Sequence, residues 1–573
     1  MEAARAALGA EEDSSAWPLL LVKSLMALGE YEQAATEART LVRDHHPLSM
    51  PLLMLAHTAL RHNDQAGPAD NMLQMVYRIA SVRRLDGMRP ADLVAVGQAL
   101  LLLGGEPRVV LDEFYSRALD NDPNCQEAYL AAGSLALDKQ DYDLAAQEYQ
   151  KALERFGDDP DCHYGLAQAF YHGDRMAMIQ ALDAALVRNP RHVNSLKLLA
   201  EHQIDAEDYA GASDLLDRAT EVNPWEPEAW ALRTVLGHLK NDPNAVKHCR
   251  AQALKFWPKN AGVDHLIGRK LSQKYRFTEG AASQRRALKL DPEYLPAKGQ
   301  LAEDLLRLGD EDRALALADE VYNADQYKVA AYNLVNLHDV MSKFKTLRVD
   351  GFIIRMEASE AAVYGDRVVD LLRRAKQVLC AKYGLSLDKP VTLELFPNQQ
   401  DFAVRTFGMP GVEGFLGVCF GDVITANSPK AARATNWEAT LWHEFCHVVT
   451  LNMTQNKMPR WLSEGISVYE ELQCNPCWGQ HMTPQYRKMI LGDELVPISK
   501  LSSLFLSPPT PQHLQFAYYE SALVVEFLVE RFGLDALKAI LKDLGTGGAI
   551  TQTIAQHTAP MHEIEQAFAT LAR

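Results

Sequence analysis

ALVRNP at residues 185–190 recurs in altered form as ATEVNP at 219–224, ALKFWP at 253–258 and ALKLDP at 287–292. The prolines that end these segments are 34 residues apart, and the alanines that begin them keep the same step. Ala118 and Ala152 extend the series of alanines upstream. Four prolines in step indicate an internal repeat with a period of 34 residues.

A period of 34 residues is typical of the tetratricopeptide (TPR) repeat, a helix–turn–helix unit. Each unit starts about three residues after its proline. The eighth position of a unit is small at Ala200, Gly268 and Ala302, where two helices must approach closely. An aromatic residue follows nine positions later at Tyr209 and Phe277. The pattern therefore predicts consecutive helical hairpins.

We predict a TPR array over residues 1–340, with a degenerate register over 51–117. One repeat is too small to bury its own apolar face, so neighbours stack into an all-α superhelix with a concave surface. We expect that surface to bind a protein partner or a substrate. The alternative is that the array only spaces and supports a second domain.

The second half of the chain has a different pattern, and we predict an α+β domain over residues 345–573. A strand pair is expected around a turn at Asp350-Gly351, followed by a helical stretch at 358–384. Further strands are expected at 391–396, 414–421 and 423–426, and mainly helices from about 435.

His443-Glu444-Phe445-Cys446-His447 is an H-E-x-x-H motif. On a helix, residues four apart share one face, so both imidazoles can bind one cation while Glu444 reaches a bound water. Thr435 and Glu438 fit a capping box at the start of this helix. The alternative is a pair of helical histidines held by hydrogen bonds in the core.

A catalytic zinc site needs a third protein ligand and one open position. Glu464, seventeen residues after His447, supplies a candidate in the second turn of a helix that Pro459 can begin. Gly465 is expected to let this second helix approach the first closely. These residues favour the metal site over the core interpretation.

The stretch HEFCHVVTLNMTQNKMPRWLSEGISVYEE at 443–471 resembles the gluzincin metallopeptidases, especially peptidase MA-like proteins that follow TPR repeats. YYESALVVEFLVERFG at 518–533 extends the resemblance, which covers the second half of the chain. It implies a zincin-like fold. It also implies one Zn²⁺ per chain, bound by His443, His447 and Glu464.

The same resemblance implies that Glu444 is the general base, which takes a proton from a zinc-activated water and delivers it to the leaving amine. A tyrosine a few residues before a serine donates to the oxyanion in this family. Tyr518 matches it and Tyr519 is the alternative, unless both tyrosines only pack.

Two further features lie around the motif. The strand at Gly414–Phe420 is a candidate edge for pairing with an extended peptide, although the same strand could be internal. Glu470 and Glu471 are candidate partners of the histidines, and surface charge is the alternative we favour for them.

Composition excludes several classes of function. With a net charge of −17, the chain lacks the basic balance of a nucleic-acid binder. The chain contains no run of about 18 apolar residues, so no membrane span is predicted. Eight irregularly spaced cysteines do not form a disulfide framework. Cys474 and Cys477 form a lone C-x-x-C without the further ligands of a thiolate zinc site.

The start of the chain leaves the compartment open. Residues 1–5 lack the basic start and apolar stretch of a secretion signal, which favours the cytoplasm for the chain as given. Residues 1–14 read like the tail of an unfinished repeat, and a trimmed signal would instead imply export.

The sequence thus predicts a zinc metallohydrolase of the HExxH…E type that cleaves peptide bonds. No aminopeptidase recognition motif is evident, which favours an endopeptidase. The alternatives are a non-catalytic TPR scaffold with a peptidase-like domain and a zinc amidohydrolase that acts on non-peptide substrates.

Overall fold

The computed structural model describes residues 16–44, 49–412, 414–431, 435–492 and 494–573. The predicted repeat tail at 1–14 lies outside these residues. The chain forms two compact units, of which the first extends to His202 and includes 210–234 and 244–263. The second unit consists of 203–209, 235–243 and 264–573.

Helical hairpins of the TPR type occupy the chain up to Met341. The helices that follow the four spaced prolines each begin three residues after the proline, as predicted: Val193–Asp205, Pro227–Leu239, Ala261–Gln273 and Leu295–Arg307. The other helices are Ala16–Ala27, Tyr31–Asp44, Met50–Arg61, Ala66–Val82, Pro90–Leu102, Pro107–Val110, Arg117–Asn121, Gln126–Asp138, Tyr142–Arg155, Pro160–Phe170, Arg175–Arg188, Tyr209–Val222, Pro243–Ala253, Phe277–Leu290, Glu311–Ala324 and Val329–Met341.

The turn between the two helices of a repeat contains a residue with a left-handed backbone. In four consecutive repeats this residue is Glu207, Asn241, Tyr275 and Gly309, with φ of 66°, 53°, 62° and 81°. These four residues keep the 34-residue step and all belong to the second unit. We call them the turn residues.

Within the described residues, five strands form one mixed sheet in the order β1-β2-β3-β5-β4. They are β1 (Phe344–Val349), β2 (Phe352–Glu357), β3 (Val391–Phe396), β4 (Gly417–Cys419) and β5 (Val423–Asn427). β1 pairs antiparallel with β2, and β4 pairs antiparallel with β5. The two pairings around β3 are parallel. β4 is therefore an edge strand, and it is shorter than the predicted one.

Helices cover the sheet and make up the rest of the C-terminal part: Ala358–Ala375, Ala381–Tyr383, Gln399–Phe407, Trp437–Thr454, Arg460–Cys474, Pro484–Leu491, Pro511–Phe532, Leu534–Gly545, Ile550–His557 and Met561–Ala572. Three of them form the site. We call Trp437–Thr454 the motif helix, Arg460–Cys474 the second helix and Pro511–Phe532 the tyrosine helix. The predicted class, an all-helical TPR superhelix followed by an α+β domain, is confirmed.

The core of this domain lies between the sheet and the motif helix. Ile354, Leu393 and Ile424 contribute from the three central strands, and Phe445 and Val448 contribute from the helix. All five side chains are inaccessible to solvent. Because burying such side chains stabilises by roughly 1.5–3 kcal/mol each, this packing fixes the motif helix against the sheet.

Two local predictions were wrong. The motif helix is capped by Asn436, whose side chain accepts from the backbone N–H of Ala439, so the cap lies one residue after Thr435. Gly465 faces the tyrosine helix instead of the motif helix, because a Cβ there would lie 2.5 Å from the carbonyl oxygen of Ser521.

No described helix is long and apolar enough to cross a membrane. All eight cysteines are free thiols. Cys446, inside the motif, is fully buried as predicted for a small core residue.

Candidate metal centre

The two motif histidines project from one face of the motif helix. The second helix presents Glu464 to the same point, in its second turn as predicted. The Nε2 atoms of His443 and His447 are 3.1 Å apart. Glu464 Oε2 lies 3.3 Å from the first and 3.4 Å from the second. The structure therefore brings together the three residues that the sequence predicts as ligands.

These three separations are close to the edges of a small tetrahedron, and the distance between the two nitrogens is slightly shorter. Zinc binds nitrogen and oxygen ligands at about 2.0–2.2 Å, so two ligands of a tetrahedral ion are about 3.3–3.5 Å apart. The observed atoms thus have the spacing of three vertices. The fourth vertex corresponds to the open position that a catalytic site requires.

The other ring nitrogen of each histidine has a partner of its own. His443 Nδ1 lies 2.5 Å from Glu471 Oε1. His447 Nδ1 lies 2.9 Å from Ser463 Oγ and 3.2 Å from Ser467 Oγ. Three residues of the second helix therefore hold the orientation of both rings.

The interpretation of Glu470 and Glu471 as surface charges was wrong, because both are buried. Glu471 is the partner of His443. Glu470 accepts from the hydroxyl of Tyr383 at 2.7 Å and from Lys382 at 2.9 Å. One of the two candidates therefore touches a motif histidine, while the other holds the second helix against the preceding part of the domain.

The chemistry of the donor set fits a divalent cation. A carboxylate at Nδ1 of His443 favours the tautomer with a proton on Nδ1, which leaves the lone pair of Nε2 free for a metal. A serine hydroxyl at Nδ1 of His447 can play the same part. Two nitrogen lone pairs and the Glu464 carboxylate then converge, and zinc accepts this combination of ligands.

Glu444 lies beside the three converging atoms, with 5% of its surface exposed. Its Oε2 has no hydrogen-bond partner among the described residues. Burial raises the pKa of this carboxyl, and the nearby histidines oppose the shift. A Cβ on Gly417 in β4 would lie 2.8 Å from Glu444 Oε1. The edge strand therefore passes directly over the carboxylate, and a larger residue than glycine there would displace the Glu444 side chain.

The charges of the site are strongly coupled. Burial opposes the charged form of His443, but hydrogen bonds to Glu464 and Glu471 outweigh it and raise its pKa well above the ordinary value. Burial likewise opposes the charged form of Glu464. The two histidines and Arg460 outweigh that burial and hold the pKa of Glu464 well below its usual range. The site thus favours an ionised Glu464 carboxylate.

The two candidate tyrosines point to different places. Tyr518 forms a hydrogen bond with Arg460, and its ring packs on Phe505. Burial raises its pKa, and the charge of Glu464 adds to the shift. Tyr519 stacks on Tyr486 with ring centroids 4.9 Å apart, in a separate apolar cluster. The structure therefore places Tyr518 beside the proposed ligands.

Two parts of the chain match families of known proteins. Residues 373–562 match the Peptidase MA superfamily. This span contains His443, Glu444, His447, Glu464 and Tyr518. Residues 113–160 and 130–178 match the tetratricopeptide repeat. No curated protein matches the chain.

Solved structures similar to the chain include three with low sequence identity. A thermophilic TPR protein of Thermus thermophilus has 18% identity and a TM-score of 0.24, covering 38% of this chain and 99% of its own. A TPR protein from Parabacteroides merdae has 12% identity and a TM-score of 0.30, covering 47% and 97%. Yeast Tom70 has 15% identity and a TM-score of 0.33, covering 60% and 85%.

Several residues around the candidate metal centre were not singled out from the sequence. Ser463 and Ser467 are four apart on the second helix, and this spacing on one face could have indicated them. Arg460, whose Nε is 3.5 Å from Glu464 Oε1, has the same spacing from the proposed ligand. Tyr275 belongs to a repeat turn and has no local signal that points to the site.

Proposed function

We propose that the Peptidase MA superfamily domain is a zinc-dependent peptidase, with the domain boundary between residues 340 and 345. The observation that supports this most directly is the tetrahedral spacing of His443, His447 and Glu464, with the Glu444 carboxylate alongside. His443, His447 and Glu464 would hold the ion. A zinc ion in such a site supplies Lewis-acid catalysis at neutral pH.

Glu444 is the proposed general base. Its free oxygen is available to take a proton from the attacking water and to return it to the leaving amine, as general acid–base catalysis requires. Burial raises the pKa of this group. A higher pKa makes the carboxylate a better base, and general acid–base catalysis of this kind contributes roughly 10²–10⁴-fold.

Tyr518 is the proposed donor to the oxyanion of the tetrahedral intermediate. Its raised pKa keeps the hydroxyl protonated at neutral pH, so it can donate a hydrogen bond. Arg460 holds that hydroxyl from the first turn of the second helix. A preorganised donor of this kind is worth about 10²–10³-fold in kcat.

The edge strand β4 is the proposed binding surface for an extended substrate. β4 pairs with β5 on one side, and among the described residues it has no strand on the other. Gly417 of this strand lies over Glu444. A peptide that adds to this edge would therefore run past the proposed base, and main-chain hydrogen bonds would supply the affinity.

TPR repeats indicate protein–protein interaction. We propose that the array binds a protein partner or presents a protein substrate. Stacked repeats produce extended concave surfaces that are suited to this task.

The test is to measure zinc content and peptide hydrolysis on the same preparations. Wild type should carry one zinc per chain. Glu444→Gln should retain the zinc and lose hydrolysis, whereas Glu464→Ala should lose both. Glu438→Gln, on the exposed start of the motif helix, is the matched control and should behave as wild type.

The outcomes separate the alternatives. Stoichiometric zinc in Glu464→Ala would refute the metal site. Zinc in wild type without cleavage of any peptide in a diverse mixture would favour a binding scaffold. Cleavage of non-peptide amides alone would identify an amidohydrolase.

A further inference from the structure

Two turn residues of the repeats hold the C-terminal domain directly. Glu207 Oε1 accepts from the backbone N–H of Arg460 at 3.3 Å. Asn241 Nδ2 donates to the carbonyl oxygen of Gly547 at 3.1 Å. Both contacts lie within the second unit. The edge of the array formed by these turns is therefore a surface on which the domain rests.

The contact of Glu207 reaches the helix that carries the proposed third ligand. Pro459, at the start of that helix, provides no side-chain cap, and Glu207 accepts from the first helical N–H in its place. An acidic side chain is favourable at a helix N-terminus, where backbone N–H groups lack partners. A repeat turn thus completes the start of the second helix.

Tyr275 occupies the equivalent position one repeat beyond Asn241. Its ring lies 6.4 Å from the ring of Phe420, which directly follows β4, and 5.3 Å from that of Phe277. Tyr275 is 37% exposed, although the cluster beneath it is apolar and buried. The next turn has Gly309 at this position. A repeat turn therefore needs no aromatic residue there.

Tyr275 is close enough to the metal centre for charges there to act on its hydroxyl. The charges that act on it most strongly are those of Arg460, Glu464 and Glu444. Its φ of 62° belongs to the repeat turn, since Glu207 and Asn241 have the same left-handed backbone. The partial exposure of the ring and its contact with Phe420 make it available to a molecule bound along β4.

We propose that Tyr275 contacts the bound peptide and determines which side chain is accepted next to the cleaved bond. This rests on the proposed peptidase function and adds a residue from the repeat array to the cleft. A peptide paired with β4 would pass close to this ring, which packs on Phe420 at the end of that strand. Aromatic side chains contribute large contact areas at such surfaces. The array would then form part of the substrate site.

The first experiment compares Tyr275→Gly and Tyr275→Phe with wild type on a tryptic digest of casein, with cleavage products identified by mass spectrometry. Glycine suits the backbone, as at Gly309, so the repeat should fold. Asn241→Gly is the matched control, because it removes a turn side chain that contacts Gly547 and none of the proposed ligands.

We expect Tyr275→Gly to lower kcat/KM about tenfold, mainly through KM, and to change the residue preferred at one substrate position. Zinc content should stay unchanged, and Asn241→Gly should keep the wild-type preference. Tyr275→Phe should keep the preference as well, because it retains the ring. Unchanged cleavage by Tyr275→Gly would overturn the proposal.

A second experiment does not depend on turnover. A photo-crosslinking amino acid replaces Tyr275, or Asn241 as the control, in the Glu444→Gln chain, which is then mixed with the casein digest and irradiated. Peptides crosslinked at position 275 but not at position 241 would support the proposal that Tyr275 contacts the bound peptide. Their absence, when wild type cleaves the digest, would refute it. A wild type that cleaves nothing refutes the peptidase function instead.

Discussion

Gly417→Ala should separate catalysis from metal binding with a single methyl group. The backbone of Gly417 has no left-handed φ, so alanine is compatible with it. The added Cβ would lie 2.7 Å from Glu444 Cγ, whereas ordinary contact begins at 3.4 Å. The Glu444 side chain must therefore move by 3.4 − 2.7, or about 0.7 Å.

The expected magnitude follows from that displacement. Misplacing a reacting group by about 1 Å costs on the order of 10²-fold, so kcat should fall by about that factor. The side chain of Glu444 can move at little cost to the fold, and the atoms that would hold zinc are not among those the methyl meets. Stability and zinc content should therefore stay near wild type.

The assay is kcat on a cleaved peptide, with zinc measured by mass spectrometry on the same sample. Gly299→Ala, where a Cβ would meet nothing within 4 Å, is the matched control and should leave activity unchanged. Wild-type kcat in Gly417→Ala would refute the position of the edge strand over the base. Loss of zinc would show that the methyl disturbs the ligands instead.

Three further changes address the parts around the site. Glu471→Gln should weaken zinc binding about 10–100-fold in a chelator competition, because it weakens the orientation of His443; unchanged affinity would contradict that role. Gly465→Ala should lower the free energy of unfolding by about 1–3 kcal/mol in a denaturant titration, because its Cβ would meet the backbone of Ser521; wild-type stability would show that the helices can separate. Burial raises the pKa of Glu520 from 4.5 to about 8, so the folded state holds its proton more tightly than the unfolded state does. The wild-type free energy of unfolding should therefore fall by about 3 kcal/mol between about pH 5 and pH 8 relative to Glu520→Gln, and parallel pH profiles would contradict this.

The sequence by itself determined the repeat and the three candidate ligands. A period of 34 residues indicates stacked hairpins, because each hairpin has small residues at the same positions of close helix contact. His443 and His447 share a helix face through their spacing alone. Glu464 was within reach because its helix directly follows the motif helix and a short turn joins them. Features that depend on the spacing of residues along the chain can therefore be predicted from the sequence alone.

Only the tertiary structure decided which residues surround those ligands. Glu471 was interpreted as surface charge because charge alone does not report burial, and its contact with His443 depends on how two helices pack. Tyr518 and Tyr519 are adjacent in the sequence, and the rotation of the tyrosine helix about its axis decided which of them faces the proposed ligands. Tyr275 comes from a hairpin about 170 residues before the motif, and its sequence position follows the repeat. Contacts between distant segments depend on packing geometry, which no local pattern encodes.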